Sequence, residues 1–152
     1  MAALRVLAFA VARRRVGSVV LDGESLLDWR MSDKAADSTE NAAVHVEKLI
    51  TEFHPDVVVT EEAATARHKG RRTLEIIEML GEASERHGLM AITLPRERRF
   101  PNKYTEAEAL VARFPELAPW KPVRLHFYDN EPRNTVLFEA LALADQLIAK
   151  DA

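Results

Sequence analysis

Cysteine is absent from the 152 residues, which excludes a disulfide framework and any thiolate-held metal. No apolar run approaches the roughly 20 residues that a membrane-spanning helix needs. A cleavable signal is not evident in Met1-Ala2-Ala3-Leu4-Arg5, so a cytoplasmic location is the expectation. Excess positive charge is also missing: 21 Lys and Arg stand against 24 Asp and Glu, a net charge of -3. Net charge alone therefore does not advertise a polyanion partner, although it hides local clustering. The five histidines are scattered, and none pairs at metal-ligand spacing. Repeats and low-complexity tracts are lacking too. What is left is an ordinary globular composition, 47% hydrophobic and 30% charged, in a length that suits one domain.

The stretch that organises the chain is Asp56-Val57-Val58-Val59-Thr60-Glu61-Glu62. Three consecutive valines suit a strand covered on both faces, and the strand ends abruptly in two acids. In open α/β sheets, ligands bind in the crevice beyond the carboxyl ends of the strands. Glu61 is thereby a candidate for chemistry, while Glu62 points to the opposite face and into solvent.

Other elements follow in order. Arg5 to Ala12 is another buried strand, and Arg13-Arg14-Arg15 marks a turn. Val16 to Leu21 and Ser25 to Met31 flank the hairpin signal Asp22-Gly23, which predicts an antiparallel meander. Apolar residues from Ala42 to Phe53 and from Thr73 to His87 recur at helical spacing, and Gly88 stops the second run. Leu89 to Leu94 is a fifth strand. Thr105 and Glu108 form a capping box for a helix over Glu106 to Phe114, and a last helix runs from about Arg133 to Ala149. The order βββ-α-β-α-β-α-α predicts an α/β fold of the ribonuclease H-like kind. Its five-stranded mixed sheet has a three-strand antiparallel meander, then parallel strands, flanked by helices. A flavodoxin-like fold would not begin with the hairpin, and a ferredoxin-like fold would interleave its strands differently.

Three stretches carry a family resemblance: Val6 to Ala10 with Val16 to Val20, Asp56 to Glu62, and Leu137-Phe138-Glu139-Ala140-Leu141-Ala142-Leu143-Ala144. In order and spacing they resemble the RuvC family of Holliday-junction resolvases and its RuvC-like relatives. The resemblance implies an aspartate at the end of the first strand, where this chain has Ala10. It implies another on the last helix, where the chain has Val136. Glu61 and Glu139 remain as the catalytic and metal-binding candidates. Asp129 and Glu131 are candidates to replace the lost acids, or else one of them caps the last helix.

Phosphodiester hydrolysis on this fold uses two Mg²⁺ ions about 3.5–4 Å apart, each demanding hard oxygen ligands. Two carboxylates imply only a weak Mg²⁺ or Mn²⁺ site. Glu139 lies on a largely apolar helix stripe, so it needs a partner: a metal, or a base such as Arg133 or Lys103. Arg67, Lys69, Arg71 and Arg72 follow the fourth strand, and Arg98, Arg99 and Lys103 follow the fifth, so these are the candidates for phosphate contacts. The expectation is a RuvC-like nucleic-acid-binding protein, acting on DNA, with weak or lost metal-dependent hydrolysis. The alternative is a catalytically dead ribonuclease H-fold module for interaction or homodimerisation. No membrane partner is expected.

Overall fold

The computed structural model describes residues 3–122 and 134–151. Strands β1 (Arg5–Ala12), β2 (Arg15–Asp22) and β3 (Ser25–Ser32) form the antiparallel meander. Strands β4 (Val57–Glu61) and β5 (Met90–Leu94) add to it in parallel, β4 beside β1 and β5 beside β4. The sheet order is β3-β2-β1-β4-β5, as the sequence pattern predicts for a ribonuclease H-like α/β fold. The central strand β1 and its parallel neighbour β4 are the two with continuous apolar runs. Every residue of β4 is buried, and so are the six inner residues of β1. A strand covered on both faces has no use for polar alternation.

One face of the sheet is covered by α1 (Thr39–Phe53) and α3 (Arg71–Arg86). Ser38 caps α1 by accepting from Asn41 N, and α1 ends at His54 just before Pro55. Ile76, Ile77, Leu80 and Ala83 form the buried stripe of α3. At about 1.5–3 kcal/mol per fully buried aliphatic side chain, such stripes hold the layer in place. Between β4 and α3 lie a short helix, α2 (Ala63–Ala66), and a 3₁₀ turn over Arg67–Lys69.

The opposite face carries α4 (Lys103–Arg113) and α5 (Thr135–Asp151). Helix α5 is apolar almost all round: Val136, Leu137, Phe138, Ala140, Leu141, Leu143 and Ala144 are all buried. It lies so close to β2 that a Cβ on Gly17 would come within 2.7 Å of Val136 O. Trp120, at the end of a 3₁₀ turn over Pro115–Trp120, meets Trp29 of β3 edge-on at 5.4 Å. Its carbonyl accepts from Asn134 Nδ2, fixing the approach to α5.

The cap of α4 differs from the expected Thr105–Glu108 box. Asn102 Oδ1 accepts from both Tyr104 N and Thr105 N at 2.9 Å, so the helix starts at Lys103 and Thr105 lies inside its first turn. An asparagine that satisfies two of the orphan first-turn N–H groups displaces the later threonine as cap. Among the described residues, no helix is long and apolar enough to cross a membrane.

Candidate functional site

Because β1, β4 and β5 run parallel, their carboxyl ends share one edge, and a cleft of about 1620 Å³ opens there. Glu61 is the last residue of β4 and faces α5, following Val57 and Val59 in alternation. Ala8 pairs with Val59, so Ala10 and Glu61, each two residues further on, point to that same face. Val136 and Glu139 lie one turn apart on α5. The four positions singled out by the resemblance thus converge, and two of them carry no oxygen: Ala10 and Val136 are buried in the apolar core.

Glu61 is only 4% exposed, and a carboxylate so enclosed needs a counter-charge. Lys69 supplies it. Its ammonium nitrogen lies 2.7 Å from Glu139 Oε2 and 3.3 Å from Glu61 Oε1, and it donates to Val11 O at 3.0 Å. The 3₁₀ turn over Arg67–Lys69 delivers this side chain, and Gly70 then redirects the backbone into α3 at a φ of +97°, a region open to glycine. The sequence pattern places Lys69 among the phosphate contacts and seeks the partner of Glu139 in Arg133, Lys103 or a metal; among the described residues, Lys69 is a partner of Glu139.

A second ion pair stands beside the first. Arg96, just past β5, grips Glu106 of α4 through Oε1 at 2.5 Å and Oε2 at 3.0 Å. Burial works to lower the Arg96 pKa. The hydrogen bond to Glu106 and the charges of Glu106, Glu139 and Glu61 outweigh it, and the guanidinium titrates above its usual range. Gln146 of α5 holds the same segment by donating to Pro95 O and accepting from Glu97 N. Among the described residues, the centre thus brings together three carboxylates and two cations, with the charges of Glu61 and Glu139 also felt by Arg96.

This arrangement does not fit a two-ion centre. A hard divalent cation needs several close oxygen ligands, whereas the oxygens here surround an ammonium, and the Ala10 and Val136 side chains cannot ligate. Among the described residues, no group of three or more His, Asp or Glu side chains is placed to hold a metal. Asp129 and Glu131, the candidate replacement acids, lie outside the described residues, as does Arg133.

Of the candidate phosphate contacts, Lys69, Arg72, Arg98 and Lys103 line the cleft, and Arg67, Arg71 and Arg99 do not. Arg71 pairs along its helix with Glu75 at 3.5 Å, and Arg99 pairs with Glu97 at 2.6 Å. Arg72 donates to the Asp37 carbonyl. Sequence reasoning passed over Arg13-Arg14-Arg15, which lines the cleft from the β1–β2 turn, and over the pair Arg96–Glu106. The turn could have been found: it follows a strand parallel to β4, so it had to reach the same edge. Arg15 pairs with Asp33 at 2.6 Å, whereas Arg13, Arg14 and Arg98 form no ion pair among the described residues.

No protein-family model matches the chain, and no curated protein matches it significantly. Several solved structures do match. The fowlpox virus resolvase in complex with Holliday junction DNA is 14% identical over 97% of this chain and 98% of its own, with a TM-score of 0.66. Thermus thermophilus RuvC with its Holliday junction substrate gives 16% identity, 93% and 90% coverage, and a TM-score of 0.62. The yeast mitochondrial Holliday junction resolvase Ydc2 gives 14% identity, 96% and 78% coverage, and a TM-score of 0.58. With its strand order, its flanking helices and these neighbours, the chain has the RuvC-like resolvase fold of the ribonuclease H-like class.

Proposed function

We propose that this chain binds DNA through backbone phosphates in the cleft at the carboxyl edge of its sheet, with metal-dependent hydrolysis weak or lost. One observation carries the reading: the charge of the cleft runs against that of the chain. Eight Lys and Arg side chains line it against five Asp and Glu, a formal balance of +3 in a protein of net charge -3. A bare pair of carboxylates at the floor would repel a phosphate. Here Lys69 and Arg96 neutralise them, and Arg13, Arg14 and Arg98 present exposed guanidinium groups above. Guanidinium forks suit phosphate oxygens, and such contacts position a duplex without reading its sequence. The fold's neighbours solved with Holliday junctions make branched DNA the form to try first. The loss of hydrolysis is supported by the apolar side chains at Ala10 and Val136 and by the lysine between the two glutamates.

The test is titration of a four-way DNA junction and of a linear duplex across a series of salt concentrations. The junction is expected to bind more tightly than the duplex, with affinity falling as salt rises through counterion release. Arg13→Glu/Arg14→Glu/Arg98→Glu should weaken binding at least about tenfold and reduce the salt slope by about one for each phosphate no longer neutralised. Equal affinities for the triple variant and the parent would overturn the reading, as would a parent that binds neither DNA.

A further inference from the structure

We propose that Lys69 is this chain's built-in replacement for a divalent cation: its ammonium permanently neutralises Glu61 and Glu139 and joins β1, β4 and α5 without metal. The inference holds whether or not the cleft takes nucleic acid.

The geometry is specific. An ammonium has three N–H groups. Two of them donate, to Glu139 Oε2 at 2.7 Å and to Val11 O at 3.0 Å, and the remaining near oxygen is Glu61 Oε1 at 3.3 Å. One nitrogen therefore touches the end of β1, the tip of β4 and the first turns of α5, elements 58 and 70 residues away from it in the case of Val11 and Glu139. Its side chain is only 15% exposed, so no outward-pointing donor is left for a phosphate. These spacings suit an ammonium and are far too long for Mg²⁺, which binds oxygen at about 2.0–2.1 Å. The surroundings suit a single charge as well. Ala10 and Val136 wall the site with methyl groups, and Arg96, held by Glu106, is the next cation. A divalent ion bound between the two glutamates would have to displace the Lys69 ammonium from both.

Two substitutions follow from this role. Lys69→Met keeps the apolar stem but removes the charge, leaving Glu61 and Glu139 to repel each other in a largely enclosed space. Breaking an enclosed ion pair from one side is among the most damaging single changes, so its melting temperature should fall on the order of 10 °C in the presence of a chelator. Millimolar Mn²⁺ should recover much of that loss, because an ion that binds only the folded chain stabilises it by mass action. The parent should melt at the same temperature in chelator and in Mn²⁺. Lys69→Met/Glu61→Gln/Glu139→Gln, with the acids neutralised, should regain stability and lose the Mn²⁺ response.

Thermal melting of these three proteins decides the matter. A Lys69→Met protein as stable as the parent in chelator would overturn the proposal, and so would a parent stabilised by Mn²⁺ as much as the variant. Should Lys69→Met fail to fold, Mn²⁺ binding to the parent, followed by water proton relaxation, decides instead. Bound Mn²⁺ that Glu61→Gln removes would overturn the proposal. A relaxation signal indifferent to Glu61→Gln is the expected result.

Discussion

On one face of the sheet, α1 and α3 cover Leu7, Phe9, Val11 and Val58 with amphipathic stripes, and their charged residues remain outside. On the other face, α5 is apolar almost all round yet brings Glu139 and Gln146 inward, against Glu61 and the segment after β5. The first face is a matter of apolar burial, which tolerates small shifts of a helix along the sheet. The second also holds ions and amides at hydrogen-bond distance, so a shift of α5 would break directional contacts as well as apolar ones. The second kind of packing is what brings Glu61, Glu139 and Lys69 together in this chain, beside the apolar Ala10 and Val136.

The same substitution on the two faces breaks the comparison most sharply. Gly17→Ala on the α5 face would set a Cβ 2.7 Å from Val136 O and 2.9 Å from its carbonyl carbon, both backbone atoms that cannot turn away. Forcing α5 outward should cost about 2–3 kcal/mol, the upper part of the overpacking range, and lower the urea midpoint accordingly. Gly81→Ala on α3 meets only the Ala91 side chain, at 3.9 Å, an ordinary contact. There the gain in helix propensity dominates, and the midpoint should rise by the equivalent of about 0.5–1 kcal/mol. Effects of equal sign at the two glycines would mean that α5 slides as readily as α3 and that the contrast between the faces is false.

A third expected effect is a pH dependence on the α1 face. His45 packs beside Phe9, with ring centroids 6.2 Å apart. Burial, then the charges of Arg30 and Lys48, push its pKa below the usual 6.5. The folded chain therefore holds the imidazole neutral at a pH where the unfolded chain has begun to take up a proton. Stability is complete above the unfolded value and falls as pH drops below about 6.5, by at most about 1.4 kcal/mol per pH unit. His45→Leu removes this contribution, so the parent's urea midpoint should decline more steeply than the variant's between pH 7 and pH 5.5. Parallel declines would place the pH sensitivity elsewhere.

Much of this contrast is legible in the sequence. The Val57-Val58-Val59 run and the apolar Val6 to Val11 stretch announce central strands, because only residues buried on both faces can dispense with alternation. Glu61 and Glu139 are legible as inward acids for the same reason: each interrupts an apolar pattern. The direction of Lys69 is not. Arg67, Lys69, Arg71 and Arg72 all read alike as bases for phosphate contacts, and only the 3₁₀ turn, with Gly70 behind it, decides that Lys69 turns in. The pairing of Arg96 with Glu106 is equally hidden, since it joins a loop to a helix face and leaves no period in the sequence. Asn102 competes unseen with Thr105, because both are good caps and only the path of the chain after β5 separates them.

The closeness of α5 to β2 has a consequence for how the chain reaches this state. Gly17 and Val136 touch although about 120 residues separate them along the chain, and β1 depends on the same helix for its cover. Contacts that close so long a loop must bear the entropy of closure before they return any stability, which slows folding. The meander of β1, β2 and β3 can form from local contacts alone, with both faces bare until helices pack on them. Until residues 135–151 arrive, Val6, Ala8, Val19 and Leu21 present a continuous sticky surface. The same helix that fixes the ionic centre is therefore also the chain's last protection against aggregation.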